Sequence, residues 1–257
     1  MLLVIDVGNT NTIFALYDGG ETTHIWRCSS DAGRTADEYR SWLYQLFTEA
    51  GISFSDVERV IAASVVPDAN FNIRRLCRQA FGCDGAIAGL DTLNYGIEVA
   101  IDTPEEAGAD RLINALAVSR DYQLPAIVID FGTATTFDVV GEGGVYHGGA
   151  IAPGVRLAVR ALQDAAAQLP TIQIAPTKTA IGTSTREAMQ SGIYWGYAGL
   201  IEGMITRMED ELGCNAFVVA TGGLAELYAE AVPRINYVDT ALTLNGLYYL
   251  AEINTDK

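Results

Sequence analysis

The sequence is poor in basic residues. Its 257 residues include 16 lysines and arginines against 32 aspartates and glutamates, which gives a net charge of −16 at pH 7. An acidic surface repels phosphate backbones and anionic lipid headgroups, so we expect neither a nucleic-acid partner nor a membrane partner. The sequence contains no run of about 18 apolar residues, the length that a membrane-spanning helix needs, so no membrane span is expected. No basic segment precedes the apolar start MLLVIDVGNT, so a signal peptide is not expected either.

Metal-binding and disulfide motifs are also missing. The sequence has four cysteines and no CxxC pair, and it has only two histidines. A structural zinc site and a disulfide framework are therefore excluded, and a reducing cytoplasm is the compartment we expect. The Walker A pattern GxxxxGK[ST] and the dinucleotide pattern GxGxxG do not occur. Their absence argues against a P-loop kinase and a dinucleotide oxidoreductase.

What the sequence does have is enough apolar material for a real core. Apolar residues make up 49% of the chain and charged residues 19%, so one large domain or two small ones can fold. Apolar, β-branched runs predict buried strands at residues 2–7, 57–67, 126–130 and 216–220. Apolar residues at helical spacing predict helices over 36–50, 70–81 and 193–212.

The opening of the chain recurs at an offset of 124 residues. Both copies read as a strand, Asp-x-Gly, a short run of small polar residues, a second strand and a Gly-Gly turn. The matched pairs are Asp6 with Asp130, Gly8 with Gly132, Thr12 with Thr136, and Gly19-Gly20 with Gly143-Gly144. This duplication predicts two α/β lobes, residues 1–118 and 119–257, with a cleft between them.

The repeated Asp-x-Gly turns are suited to phosphate binding. A glycine lets the backbone approach a ligand closely, and backbone amides with small hydroxyl side chains bind phosphate oxygens. The carboxylates of Asp6 and Asp130 would repel phosphate unless a cation such as Mg²⁺ lay between them. Thr221-Gly222-Gly223, which follows a strand, offers a third flat surface for a nucleotide. The alternative is a polar hairpin turn in which the aspartate caps its own backbone.

The phosphate-binding turns contain no lysine. The nearest basic residue after Asp6 is Arg27, and after Asp130 it is Arg156. Other kinases use a lysine to neutralise the transferring phosphate. Metal ions and backbone dipoles must then provide this stabilisation, unless Arg111 or Arg156 folds into the cleft.

The segment GADR, residues 108–111, follows a helix start at Pro104-Glu105-Glu106. A kinase needs a base beside the acceptor hydroxyl and a positive charge near an anionic substrate. Asp110 and Arg111 have the chemistry for these two roles. An ion pair on the surface of a helix is the alternative interpretation.

These motifs carry a resemblance to a known family. DVGNTNT (6–12), DFGTATTFD (130–138) and TGG (221–223) resemble the phosphate-1, phosphate-2 and adenosine loops of the acetate/sugar kinase–Hsp70–actin superfamily. YG (95–96), GADR (108–111), GGAIAPG (148–154) and IGTSTREAMQSGIYWG (181–196) resemble segments of type III pantothenate kinases. The resemblance implies duplicated ribonuclease H-like, or actin-like ATPase, domains.

The resemblance also implies roles for individual residues. Asp110 would be the catalytic base that accepts the proton of the pantothenate hydroxyl, and Asp130 would bind a monovalent cation, K⁺ or NH₄⁺. The pantothenate pocket would be lined by Tyr95, Gly108, Ala109, Asp110, Arg111 and Thr185. ATP would be bound by Asp6, Val7, Gly8, Asn9, Thr10, Asn11, Thr12, Ile13 and Thr133, together with Mg²⁺. Members of the family are homodimers, so a homodimer is expected.

The implied activity is ATP-dependent phosphorylation of pantothenate to 4′-phosphopantothenate, the first step of coenzyme A biosynthesis. Two alternatives remain at this point. One is a kinase for another small alcohol, and the other is a nucleotide-binding regulator without enzymatic activity. Asp6, Asp110 and Asp130 together weigh against the regulator, which needs no base.

Overall fold

The computed structural model describes residues 1–165 and 169–255, and within them the chain forms two five-stranded sheets. The first sheet contains β1 (Leu2–Val7), β2 (Asn11–Asp18), β3 (Glu21–Ser29), β4 (Arg59–Ser64) and β5 (Ala86–Ala88). The second contains β6 (Ala126–Phe131), β7 (Ala134–Val140), β8 (Tyr146–Pro153), β9 (Phe217–Gly222) and β10 (Tyr237–Val238). The predicted α/β fold class is confirmed.

The helices in the described ranges separate the strands along the chain. They are α1 (Ala36–Glu49), α2 (Asn70–Leu76), α3 (Ala109–Asp121), α4 (Val155–Ala165), α5 (Thr185–Leu212), α6 (Ala225–Ala231) and α7 (Leu242–Ile253). None of the helices in residues 1–165 and 169–255 is long and apolar enough to cross a bilayer.

The chain divides into two compact units. The first consists of residues 1–96, 106–117 and 243–257, and the second of residues 97–105 and 118–242. The C-terminal helix α7 therefore belongs to the first unit. Within α3 the chain passes from the first unit to the second between residues 117 and 118, next to the predicted lobe boundary at 118/119. The division of the chain into two functional lobes stays a prediction.

The first unit has its own core beneath the sheet ordered β3-β2-β1-β4-β5. β1 is the central strand, antiparallel to β2 and parallel to β4, and its residues Leu3 and Ile5 are fully buried. They pack with Tyr39, Leu43 and Phe47, the apolar face of α1. This agrees with the helix predicted over 36–50, because apolar side chains three or four residues apart share one face.

The second unit repeats the same sheet, in the order β10-β9-β6-β7-β8. The central strand β6 is antiparallel to β7 and parallel to β9, as β1 is to β2 and β4. Ile127 and Ile129 of β6 lie in a separate core, which α5 covers with Ile201 and Ile205. The common strand order and strand directions support the duplication inferred from the sequence.

The register corrects one pair of the predicted repeat. Val7 lies opposite Thr12, whereas Phe131 lies opposite Thr135. The second turn is therefore one residue shorter than the first, so the structural counterpart of Thr12 is Thr135 and not Thr136. Thr12 and Thr135 are both fully buried. A one-residue shift exchanges the two faces of a strand, so sequence matching alone did not locate it.

Two predicted helices differ from the structure at their ends. The helix predicted over 70–81 is α-helical only to Leu76 and continues as a π-helical turn over Cys77–Phe81. Helix α5 begins at Thr185, eight residues before the predicted start at 193. Its polar first turn has no apolar spacing to detect. The turn is instead begun by Ser184, whose hydroxyl accepts a hydrogen bond from the amide of Glu187.

Candidate active site

The turn between β1 and β2 presents small polar residues to solvent. Asp6 lies near the end of β1, and the amide of Gly8 donates to the carbonyl of Asn11 at 3.0 Å. The side chains of Asn9, Thr10 and Asn11 are exposed. Backbone amides and short polar side chains in a compact turn form a surface on which an anion can bind.

Ser30, which the sequence analysis did not single out, supports this turn. Its hydroxyl donates to the carbonyl of Gly8 at 2.5 Å, and its amide donates to the carbonyl of Thr10 at 2.9 Å. Its hydroxyl also lies 2.9 Å from the hydroxyl of Thr12. Because the side chains of Thr12 and Val7 are buried, these two predicted ATP-binding residues offer a ligand only their backbone. No sequence signal distinguishes Ser30 from any serine that follows a strand.

Two carboxyl groups of the first unit interact at the end of β1. Burial and, to a smaller extent, the negative charge of Asp110 together raise the pKa of Asp6 from 3.8 to about 6. The charge of Asp110 therefore adds to the cost of ionising Asp6. This arrangement is typical of a site that gains a cation, whose charge would relieve both effects.

Helix α3 begins at Ala109 and places Asp110 in its first turn. Oδ1 of Asp110 accepts a hydrogen bond from the amide of Arg111 at 3.0 Å. A Cβ atom on Gly108 would lie 2.6 Å from the same oxygen. Glycine at position 108 is therefore required by the position of the Asp110 carboxylate.

The substrate residues predicted around GADR lie together in the first unit. Burial raises the pKa of the Tyr95 phenol, a hydrogen bond with the Gly89 backbone lowers it, and the charge of Asp110 raises it. Gly89 in turn lies against Ala109, since a Cβ on Gly89 would be 3.1 Å from that of Ala109. The structure thus brings Tyr95 next to the start of α3, although the two segments are not adjacent in the sequence.

Asp130 belongs to the second unit and ends its central strand as Asp6 ends that of the first. Gly222, at the end of the neighbouring strand β9, has a φ of +87°, and a Cβ there would lie 2.6 Å from Oδ1 of Asp130. A side chain at position 222 would therefore cover the carboxylate. Glycine at position 222 therefore leaves this side of the Asp130 carboxylate uncovered by residue 222. A carboxylate oxygen is a ligand that hard cations prefer.

Thr133 lies in the shorter turn of the second unit, and its side chain is exposed. Its carbonyl accepts a hydrogen bond from the amide of Gly154 at 3.1 Å, immediately before α4. A Cβ on Gly154 would lie 2.2 Å from that carbonyl. The turn and the first turn of α4 are therefore in direct contact.

Thr185, the remaining predicted substrate residue, is the exposed first residue of α5 in the second unit. The helix start is ordered by Glu187, whose carboxylate accepts hydrogen bonds from the amide and hydroxyl of Thr183, at 2.8 and 2.7 Å. The hydroxyl of Thr185 is thus presented on a well-capped helix end.

The available acidic groups suit a cation that shares its ligands with a nucleotide. In the part of the chain that the structure describes, no group of three or more His, Cys, Asp or Glu side chains forms a metal cage. Asp6 and Asp110 provide a pair, and Asp130 provides a single carboxylate. Mg²⁺ is commonly held by one or two carboxylates with water and phosphate oxygens, so these residues fit it.

The family model and the curated relatives that match this chain carry the same family name. The family model described as type III pantothenate kinase matches residues 2–207. A type III pantothenate kinase of Paramagnetospirillum magneticum is 51% identical over 255 residues, which cover 99% of this chain and 98% of that protein. The corresponding protein of Rhodospirillum rubrum is 52% identical over 254 residues, which cover 99% of both chains.

Solved structures extend the likeness at the level of the fold. A Baf family protein of Campylobacter jejuni has a TM-score of 0.64 at 17% identity, covering 99% of this chain and 100% of that one. The inorganic polyphosphate/ATP-glucomannokinase of an Arthrobacter strain has a TM-score of 0.53 at 14% identity, covering 100% and 99%. These neighbours agree with the predicted duplicated, actin-like ATPase fold.

The raised pKa of Asp6 predicts that replacing it will stabilise the protein without ligands. In the unfolded chain this carboxyl ionises near pH 4, whereas in the folded chain it ionises near 6, so stability falls as the pH rises through this interval. We expect Asp6→Asn to raise the free energy of unfolding at pH 8 by about 1–3 kcal/mol. The difference from the wild type should narrow as the pH falls to 5.

Thermal unfolding at pH 5 and pH 8, without nucleotide or divalent metal, measures this effect. The exposed residue Asp210 offers the same aspartate-to-asparagine change as a control. The melting temperature of Asp210→Asn should equal that of the wild type at both pH 5 and pH 8. If the melting temperature of Asp6→Asn equals that of the wild type at both pH 5 and pH 8, the prediction is contradicted.

Proposed function

This chain belongs to the type III pantothenate kinase family, and we propose that it transfers the γ-phosphoryl group of ATP to the 4′-hydroxyl of pantothenate. The product, 4′-phosphopantothenate, is the first intermediate of coenzyme A biosynthesis. The observation that carries the proposal is the match to enzymes of this name along nearly the whole chain, with Asp6 and Asp110 brought together at one end of the central strand.

We propose Asp110 as the catalytic base. Its carboxylate is partly buried, is oriented by the Arg111 amide and lies beside Tyr95. The base accepts the proton of the pantothenate hydroxyl as its oxygen attacks the γ-phosphorus, and the bond to the ADP oxygen breaks. In phosphoryl transfer most of the catalytic effect comes from such positioning and from charge neutralisation.

Arg111 and the surrounding residues serve substrate binding. The guanidinium of Arg111 carries the positive charge that suits the carboxylate of pantothenate. Tyr95, Gly108 and Ala109 line the same region and exclude water from the acceptor hydroxyl. Thr185 adds a hydroxyl group as a further hydrogen-bonding partner for the substrate.

ATP is bound through the two aspartate-ended turns. Backbone amides and side chains between Asp6 and Ile13 bind phosphate oxygens, and Thr133 offers its backbone and hydroxyl for the same purpose. When bound, Mg²⁺ beside Asp6 and a monovalent cation beside Asp130 supply the positive charge that the turns, which lack lysine, do not. Asp6 and Asp130 hold these cations by their carboxylate oxygens.

A homodimer is supported by apolar side chains exposed on the second unit. Ile151 on the edge strand β8 is 66% exposed, Leu157 on α4 is 46% exposed, and Trp195 on α5 is 39% exposed. Apolar area of this kind is buried when a second copy binds. The four free cysteines are consistent with a cytoplasmic protein, and the net charge of −16 disfavours nucleic-acid and membrane partners.

The activity is tested by ADP release with ATP, Mg²⁺, K⁺ and a panel of acceptors. We expect ADP to be released faster with pantothenate than with other small alcohols. The variant Asp110→Asn should lower kcat by about 10²–10⁴-fold, because the proton of the hydroxyl group loses its acceptor. ATP binding by this variant should be retained, as measured by calorimetry. Asp210→Asn is the matched control, and near wild-type turnover by Asp110→Asn would remove Asp110 from the role of base.

The variant Gly108→Ala tests whether the position of the Asp110 carboxylate matters for activity, because it displaces this carboxylate without removing it. The new methyl group would displace Oδ1 of Asp110, which is the end of a movable side chain, so the fold should survive. We expect kcat to fall by about 10²-fold, the effect of misplacing a reacting group by about 1 Å. Gly199→Ala in α5 meets no atom within 4 Å and should leave kcat unchanged. Equal rates for both variants would contradict this account of Gly108.

The cation assignment predicts that activity depends on K⁺ or NH₄⁺. Replacing K⁺ by Na⁺ at constant ionic strength and constant Mg²⁺ should abolish most of the turnover, because the family resemblance implies a requirement for K⁺ or NH₄⁺ at Asp130. Asp130→Asn should weaken the dependence on K⁺ in a titration of the rate. Full activity in a buffer containing Na⁺ alone would contradict the assignment.

A further inference from the structure

The end of helix α7 lies against the loop that carries Tyr95, a contact that no step above uses. Asn254 directly follows α7 and is 160 residues from Asn94 in the sequence. The amide of Asn94 donates to Oδ1 of Asn254 at 3.0 Å, and Nδ2 of Asn254 donates to the carbonyl of Asn94 at 2.9 Å. One side chain thus pairs with both backbone groups of a single residue, as the opposite residue of an antiparallel strand does.

The side chain of Asn254 is itself held in place. Its Nδ2 also donates to the carbonyl of Leu250 in the last turn of α7, at 2.8 Å, so the side-chain amide is fixed in one orientation. The helix end is tied to β4 by Arg59, whose guanidinium donates to the carbonyl of Ala251 at 3.2 Å and to the carboxylate of Glu252 at 2.5 Å. Asn254 is therefore held by the helix and, through it, by the first sheet.

The loop is also held on the other side of Tyr95. The amide of Gly96 donates to Oδ1 of Asn94 at 2.9 Å, which closes a turn around Tyr95. Gly96 has a φ of +67°, and a Cβ there would lie 2.6 Å from Cδ1 of Ile253, the last residue of α7. The loop therefore packs directly on the end of the helix.

Tyr95 connects this contact to the candidate active site. Its side chain is half-buried, its phenol forms a hydrogen bond with the backbone of Gly89, and the negative charge of Asp110 acts on it. Gly89 lies against Ala109 at the start of α3. A tyrosine side chain has only two torsion angles, so the position of the phenol follows that of the backbone. A shift of the loop would therefore move the phenol away from Asp110.

We propose that Asn254 is a positioning residue of the acceptor pocket, which holds the phenol of Tyr95 beside Asp110 by pairing with the backbone of Asn94. The proposal rests on the proposed function in that Tyr95 lines the pocket for pantothenate. In this role Asn254 acts through Tyr95 and touches no reacting atom. A loop that is ordered before the substrate arrives loses less conformational entropy on binding, which favours affinity for the acceptor. None of the residues proposed to bind ATP lies in this loop.

The variant Asn254→Ala removes all three hydrogen bonds of this side chain. We expect KM for pantothenate to rise about tenfold and KM for ATP to change less than about twofold, because only the acceptor pocket loses its order. Asn245→Ala is the matched control, because Asn245 lies on α7, is also half-buried and accepts a hydrogen bond from the hydroxyl of Tyr17 at 3.0 Å. The control should leave both KM values within about twofold of the wild type. An unchanged KM for pantothenate in Asn254→Ala would overturn the proposal.

A double-mutant cycle distinguishes action through Tyr95 from a general loss of structure. Tyr95→Ala removes the side chain that Asn254 positions, so adding Asn254→Ala to it should change KM for pantothenate less than about twofold further. If the second substitution instead raises KM by the same factor as it does in the wild type, the two residues act independently and the proposal fails. Melting temperatures show that each variant is folded under the conditions of the assay.

Hydrogen exchange measures the hold on the loop independently of the reaction. Because Asn254 protects the amide of Asn94, a peptide containing residues 94–96 should exchange faster in Asn254→Ala than in the wild type or Asn245→Ala. Equal exchange in all three proteins would overturn the proposal whatever the acceptor is. Faster exchange in a protein whose wild type phosphorylates no pantothenate would support the hold on Tyr95 and refute the acceptor assignment. Phosphorylation of pantothenate with an unchanged KM in Asn254→Ala would refute the positioning role alone.

Discussion

The cost of ionising the buried carboxyl of Asp6, at the end of β1, is the constraint on which the rest of this molecule depends. Asp6 is ionised against burial and against the charge of Asp110, so the protein without ligands holds a site that is electrostatically unfavourable. A cation and a triphosphate together relieve that condition, whereas a triphosphate alone would worsen it. Because the turns contain no lysine, the proposed cation dependence, the proposed mode of nucleotide binding and the lower stability predicted for the free protein would have one physical origin.

Duplication supplied the same scaffold twice, and the two copies have diverged in what surrounds the strand-end aspartate. In the first unit Asp6 lies near a second carboxylate on a helix, and Ser30 supports the longer turn. In the second unit Asp130 lies against Gly222, and the shorter turn contacts the start of α4 through Gly154. One strand order thus carries the proposed base Asp110 near the strand-end aspartate in one copy, and the proposed ligand of a monovalent cation, Asp130, in the other.

Elements with clean apolar spacing were predictable, because burial of one face determines both the pattern and the structure. The strands at 2–7 and 126–130 and the helix at 36–50 agree with the structure for this reason. The first turn of α5 has no apolar period, so apolar spacing missed it, and only its capping residues Ser184 and Glu187 mark it in the sequence. The π-helical turn after Leu76 has no such mark, because it depends on hydrogen-bond geometry. In the site, Asp6 and Asp110 were identified from motifs, whereas Ser30 was missed because its role lies in three hydrogen bonds to a distant turn.

The sequence by itself determined the α/β class, the duplication, the aspartates at the strand ends and the family, since each is recorded in local residue types and their spacing. Only the tertiary structure decided which residues meet across the chain. It placed Asp110 near Asp6, aligned Thr12 with Thr135 and paired Asn254 with the backbone of Asn94. Such contacts follow from sheet register and helix packing, which depend on the whole core and therefore leave no local trace in the sequence.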